Sequence, residues 1–287
     1  MRKISDRIFT GFVSLLALAA VLILAFLIFF IVRESVPAIR DVGLKELLLT
    51  SEWRPVIYKD APSYGMKNMI LSTLYVSVLA VLIAFVIGVG CALFLACSAT
   101  RKQRTLIMPY IDLLASVPSV VYGFIGLYIV VKFIENCGRA AGESVLAGGI
   151  VLAVMILPTV INISTSSIRA VQKSIKSASL ALGATKIQTI FKVILPAAKS
   201  GIMTAVVLGL GRALGEAMAI NMVAGGVVNL PLPFNSVRFL TTAIVSEMSY
   251  SEGLHRQVLF TIGLVLFAFI LFTNMFLTRI IKKGEAE

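Results

Sequence analysis

The chain of 287 residues holds one histidine, one tryptophan and three cysteines, and only 14% of it is charged. A single histidine, His255, excludes a zinc or haem centre built on imidazoles. Cys91 and Cys97 share one apolar run and Cys137 stands alone in a loop, so no disulfide framework or thiolate metal spacing emerges. The three are read as small packed residues, and no metal or cofactor is expected. No Gly-x-x-x-x-Gly-Lys-Ser/Thr loop occurs, so the chain has no phosphate cradle for ATP of its own. Within the apolar runs the ionisable groups are few, namely Asp112, Arg212 and Glu216, which argues against an enzyme.

What abounds is hydrocarbon. The composition is 59% hydrophobic with a mean hydropathy of +0.98, far from that of a soluble domain. Six nearly charge-free runs, 8–32, 68–100, 105–131, 144–168, 201–228 and 257–278, are each long enough to cross a bilayer as a helix. The first is too long for a signal-peptide core and is read as a retained span. The net charge of +12 suggests nucleic acid, but basic residues in a membrane protein serve to orient the spans, and nucleic acid is set aside. With the amino terminus inside, fifteen basic residues fall in inner segments and ten in outer ones, which predicts both termini in the cytoplasm. The fold class expected is all-α: one polytopic transmembrane domain over 1–287, with a first span at 8–32, an outer loop at 33–67 and a core at 68–283 that includes a cytoplasmic loop at 169–200.

The outer loop carries Trp53, Pro37, Pro55 and Pro62 and is too short for an independent domain. It suits a lid, a contact surface for an extracellular partner or an ordered connector. In the third run, Pro109 and Pro118 predict a bend, where Ser116 and Ser119 can hydrogen-bond the freed carbonyls or touch a substrate. Asp112 suits an interfacial carboxylate or a charge partner for a basic group across the bundle.

Residues 211–216 read Gly-Arg-Ala-Leu-Gly-Glu inside the fifth run. An ionised group at the centre of a spanning helix costs roughly 2.5–3.5 kcal/mol, so such groups face a protein interior or a water-filled path. On a continuous helix Arg212 and Glu216 are at i and i+4, on one face and able to pair. Gly209, Gly211 and Gly215 are expected to let that helix approach a neighbour closely.

In the loop, residues 177–196 predict a short helix with Ala178, Leu180 and Leu182, a turn at Gly183, and a second helix with Ile187, Ile190, Phe191 and Ile194 on one face. Such a plug fits a groove on another protein. The segment resembles the cytoplasmic coupling motif of ABC importer permeases, Glu-Ala-Ala, three residues, Gly, nine residues, Ile, one residue, Leu-Pro. Gly183, Leu195 and Pro196 match it, with Val193 at the isoleucine place, while Ser177, Ala178 and Ser179 replace Glu-Ala-Ala. Further, 116–123 (Ser-Val-Pro-Ser-Val-Val-Tyr-Gly), 211–219, Trp53 to Pro55 and Tyr64-Gly65 resemble the PstC-type permeases of phosphate importers, with the sister PstA type sharing a related element.

That resemblance implies a type I ABC importer permease (MetI-like) fold and a site in the bacterial or archaeal cytoplasmic (inner) membrane. It implies inorganic phosphate as substrate, with Arg212, Glu216, Ser116 and Ser119 along the pathway. It implies as partners a PstA-type permease, two ATP-binding subunits that supply hydrolysis and an extracytoplasmic phosphate-binding protein, besides membrane lipid. Coupling to the ATPase would fall to Ala178, Leu182, Gly183, Ala184, Leu195 and Pro196. The sister PstA-type subunit, a permease for another oxyanion such as molybdate or sulfate, and a passive anion channel are the competing readings.

Overall fold

The computed structural model describes residues 2–55, 62–138 and 142–283. Parts of the expected outer loop (56–61) and the acidic tail (284–287) lie outside the described residues.

Apolar length produces the long helices. The chain opens with α1 (Arg2–Asp41), followed by α2 (Leu44–Leu49) and a two-stranded antiparallel hairpin, β1 (Trp53–Arg54) and β2 (Ser63–Tyr64), with Trp53 opposite Tyr64. Next come α3 (Lys67–Leu93), ending in a π turn over Phe94–Ser98, and α4 (Arg101–Ser116). Helix α5 (Ser119–Ile125) runs through a π turn into α6 (Lys132–Asn136), and α7 (Val145–Ala170) follows. The loop segment folds as α8 (Lys173–Ala181), α9 (Lys186–Thr189) with a π continuation at Ile190–Ile194, and α10 (Leu195–Ala197). The remainder is α11 (Lys199–Leu214), α12 (Met218–Val223), α13 (Leu240–Glu247) and α14 (Gly253–Lys283).

Five helical stretches among the described residues are long and apolar enough to cross a membrane, and a sixth arises if the pair Lys186–Ala197 and Lys199–Leu214, bent by 64°, is one span. The expected six spans are reached only when that bent pair is counted as one, and the bounds move. The third expected span, 105–131, is not one helix: α4 stops at Ser116 and the span-length piece is Ser119–Asn136. Pro118 lacks an amide hydrogen and forces Val117 into an extended conformation, so the helix must restart. The fifth, 201–228, is also divided, because α11 ends at Leu214 and only the short α12 follows.

Helix α7 is the hub. It is packed by α3, α11, α4 and α12, and Ala147, Leu152, Met155 and Ile156 on it are fully enclosed. Close approach comes from glycines other than those anticipated. A Cβ on Gly88 of α3 would stand 2.8 Å from Val160 Cγ1 of α7, and one on Gly123 of α5 would stand 2.8 Å from the Ala219 backbone of α12. At Gly209 the nearest atom would be at 3.4 Å and at Gly211 at 4.0 Å, ordinary distances, while Gly215 faces only its own helix end. In lipid, where apolar burial drives helices together weakly, such backbone proximity is the main source of packing energy.

Helix α1 contrasts with this. It lies chiefly against α14, and Phe9, Leu15, Val21 and Phe26 are exposed along it. A surface that apolar belongs against lipid tails.

Gly88→Val should overpack the α3–α7 seam and destabilise the purified protein by about 1–3 kcal/mol. Gly90→Ala, with nothing within 4 Å of its Cβ position, is the control. Thermal unfolding in detergent should separate the two, and equal melting points would refute the seam.

Candidate transport site

The site is built where two helices break in the apolar region. At the first break, Ser116 Oγ donates to the Leu113 carbonyl at 2.7 Å and Tyr122 Oη donates to the Leu114 carbonyl at 2.6 Å. The Val117 amide turns to the Leu114 carbonyl at 3.3 Å, so Ser116 supplies the donor that Leu113 lacks and Tyr122 gives Leu114 a second one. Ser116 thus behaves as the sequence suggested, whereas Ser119 makes no side-chain hydrogen bond among the described residues. Tyr122, from the next turn, does the second job.

At the second break, Gly215 closes α11 through an amide bond to the Gly211 carbonyl at 3.2 Å. Glu216 then lies outside any helix. Its Oε1 accepts from the Ala219 amide at 3.0 Å, capping the first turn of α12, and its carbonyl accepts from Thr241 Oγ1 at 2.7 Å. The expectation that Arg212 and Glu216 share a helix face and pair is overturned: the i, i+4 geometry ends with the helix at Leu214, and no ion pair joins them. Glu216 is committed to the backbone.

Arg212 is left half-buried without a carboxylate. Its Nη1 donates to Thr159 Oγ1 of α7 at 3.3 Å. On its other side it lines a cavity of about 750 Å³ between α11 and α14, with Thr204, Gly211, Asn274 and Thr278. The placement is costly for a cation unless a path for water or anions reaches it, and a guanidinium keeps its charge there.

Asp112, on α4, accepts from Asn162 Nδ2 of α7 at 2.8 Å, not from a basic group. A charge partner for Asp112 is therefore not what the bundle supplies. Thr159 and Asn162, three residues apart on α7, lie on neighbouring positions of one face. One holds Arg212 and the other Asp112, so α7 carries a polar stripe flanked by the two opposite charges. The stripe continues in unsatisfied form at Asn162 Oδ1 and at Thr165 Oγ1, three residues on, both buried with no hydrogen-bond partner among the described residues; Ser164 Oγ, on another face of α7, is buried and unpartnered as well. Uncompensated buried acceptors and hydroxyls of this kind mark a place for water or a polar ligand.

Sequence reasoning passed over Thr159, Asn162 and Tyr122. An asparagine in the middle of the fourth apolar run was the available signal. It also passed over a second cluster at the other end of the bundle. There Glu247, 5% exposed, pairs with Arg238 and binds His255 Nε2 at 2.7 Å, while Trp53 Nε1 donates to it at 3.2 Å. The indole, the Tyr64 ring and the imidazole pack edge to face or tilted at 5.9–6.3 Å. Burial pushes the Tyr64 hydroxyl above its ordinary value. This cluster fastens the hairpin onto α13 and α14, so the described part of the 33–67 segment is an ordered cap.

A bundle of spanning helices, broken twice around a polar stripe and an uncompensated arginine, is a membrane transport permease. The chain belongs to the family of binding-protein-dependent transport system inner membrane components, which matches residues 88–284. Among its relatives, a probable ABC transporter permease protein, YqgH of Bacillus subtilis, is 41% identical over 249 residues, covering 84% of this chain and 80% of that one. The phosphate transport system permease protein PstC of Pasteurella multocida is 33% identical, covering 76% of this chain and 73% of its own length. A solved MetNI methionine ABC transporter in an inward-facing conformation has the same fold, with a TM-score of 0.61 at 19% identity, over 76% of this chain and 94% of that one.

Glu216→Ala should remove the α12 cap and cost about 1 kcal/mol. Glu216→Gln keeps an acceptor oxygen for the Ala219 amide and should retain most of that stability. Equal melting points for the two variants would refute the capping role.

Proposed function

We propose that this permease moves inorganic phosphate inward across the bacterial or archaeal cytoplasmic membrane, with both termini in the cytoplasm. In this reading it pairs with a PstA-type permease, two ATP-binding subunits and an extracytoplasmic phosphate-binding protein. Residues 1–287 act as one permease domain. The substrate assignment is supported by the PstC relatives and by the resemblance of 211–219 to that type.

The observation that carries the mechanism is Arg212: half-buried, lining a cavity, and held among the described residues only by a neutral hydroxyl. A guanidinium so placed offers a planar fork of donors to an oxyanion. The Thr159 bond is weak enough to be exchanged for a charge-assisted one. Glu216 acts indirectly, by holding the helix break that gives Arg212 access to the path, and Ser116 acts in the same way at the other break. Asp112, bonded to Asn162 at the neighbouring position of the same α7 face, repels an anion and so favours its release.

Arg212→Gln in the assembled importer should lower labelled phosphate uptake by about ten- to a hundredfold, matching the roughly 1.5–3 kcal/mol of a hydrogen bond to a charged group. Folding should change little. Unchanged uptake would sink the pathway role, and stronger competition by molybdate or sulfate than by phosphate would reassign the substrate.

Coupling is proposed to run through α8 and α9. Helix α8 ends in a Schellman turn: the Gly183 amide binds the Leu180 carbonyl at 3.0 Å and the Ala184 amide the Ser179 carbonyl at 3.2 Å, with Gly183 at φ 86°. The turn presents Leu182, 89% exposed, together with Ala178, Ile187 and Phe191. An exposed apolar knob on two short helices suits the groove of an ATP-binding subunit. Leu195 and Pro196 form the bend into α11, which links the knob to Arg212 on the same helix.

Gly183→Val would force a branched side chain into a left-handed conformation that costs about 1–2 kcal/mol. Phosphate moved per ATP hydrolysed should fall while hydrolysis continues. An unchanged ratio would refute docking through this turn.

A further inference from the structure

We propose that a cleft at the end of the bundle bearing α8 binds a phosphoryl oxyanion, as free phosphate or as a lipid headgroup. The cleft, of about 320 Å³, is lined by four cations from three elements: Arg104 of α4, Arg169 of α7, and Lys173 and Lys176 of α8. No carboxylate lines it. It is separate from the cavity at Arg212 and does not depend on the pathway reading.

Basic residues at a membrane boundary ordinarily need no explanation beyond orientation of the spans. Three observations go further here. First, Arg104 is fixed, its Nε and Nη2 both donating to the Leu95 carbonyl at 2.9 and 2.7 Å, so one charge is held in place at the cleft. Second, Arg169, Lys173 and Lys176 have neither an ion pair nor a side-chain hydrogen bond among the described residues. Third, the walls between the charges are apolar, formed by Ala96, Ile168 and Ile194. Low-dielectric walls focus the field of like charges and raise the local concentration of a counter-ion.

The arrangement is unfavourable for the protein alone. Lys173 and Lys176 are three apart on α8, a repulsive spacing, and both lie in the half of the helix where its dipole disfavours cations. An oxyanion between them and Arg104 and Arg169 reverses each of these terms. Basic pockets between membrane helices take phosphate headgroups by the same chemistry. Helix α8 packs on α9 and its π continuation. A bound anion would also tie it to α4 and α7.

Cys97 lines the same cleft and is partly accessible, which gives a direct reporter. Alkylation of Cys97 by N-ethylmaleimide is followed by peptide mass in the assembled importer. The nanodiscs are phosphatidylcholine alone, phosphatidylcholine with added inorganic phosphate, or phosphatidylcholine with phosphatidylglycerol. Occupancy should slow the reaction by about threefold or more at ligand levels above the dissociation constant. The variant Arg169→Gln, Lys173→Gln, Lys176→Gln should lose about a hundredfold in affinity and with it the protection.

Protection by inorganic phosphate in the neutral lipid assigns a free anion, and protection by phosphatidylglycerol without phosphate assigns a headgroup. Protection by neither, or equal protection in the variant, overturns the proposal. Native mass spectrometry of the same complexes counts phosphate and phosphatidylglycerol retained by wild type and variant, and it decides the matter if Cys97 does not react. An equal count overturns the proposal. Should the triple variant fail to assemble, Lys173→Gln alone replaces it and should show a smaller loss in the same direction.

Discussion

Every peptide group in hydrocarbon must find a partner within the protein, and the rest of this structure depends on how that demand is met at two broken helices. An uninterrupted helix meets it automatically. A break leaves carbonyls and amides open, each costing several kcal/mol in lipid. Here Ser116 and Tyr122 close the first break, and Gly215, Glu216 and Thr241 close the second. The repairs come from side chains that would otherwise read as substrate ligands, which is why the carboxylate of Glu216 serves the backbone.

The breaks in turn create the site. Because α11 stops at Leu214, Arg212 sits in its last turn, where a cation is favoured by the helix dipole and where the next residues bend away. Helix α7, continuous from Val145 to Ala170 through Pro158 and largely enclosed, supplies the partners: Thr159 holds the arginine and Asn162 holds Asp112. The polar positions of α7 thus lie on one continuous helix, while the charges they bond come from neighbours that are broken beside them. The bend of 64° at Ala198 connects this arrangement to the exposed knob at Leu182 through a single continuous chain segment.

Much of the architecture was legible in the sequence because apolar length and a glycine-dependent turn are local properties. The six runs, the short helix ending at Gly183 and the disturbance at Pro118 each follow from residues within one or two turns of one another. The second break was not legible in the same way. Gly215 alone is tolerated inside many membrane helices, and only the packing of α12 on α5, with Gly123 against Ala219, makes stopping there better than continuing. The cluster of Trp53, Arg238, Glu247 and His255 was hidden for a related reason, since its members lie up to 202 positions apart in sequence and meet only when the hairpin folds onto α13 and α14.

The sequence by itself determined the class of protein, where most of the spans lie, the residues able to carry charge into the membrane and the shape of the loop knob. These depend on transfer energies and backbone propensities that act over a few residues. Only the tertiary structure decided which charge meets which partner. Arg212 and Glu216 are four apart in the chain, yet the first bonds to a threonine and the second to an amide, because a helix face exists only where the helix continues, and its continuation is settled by what the neighbouring helices leave room for.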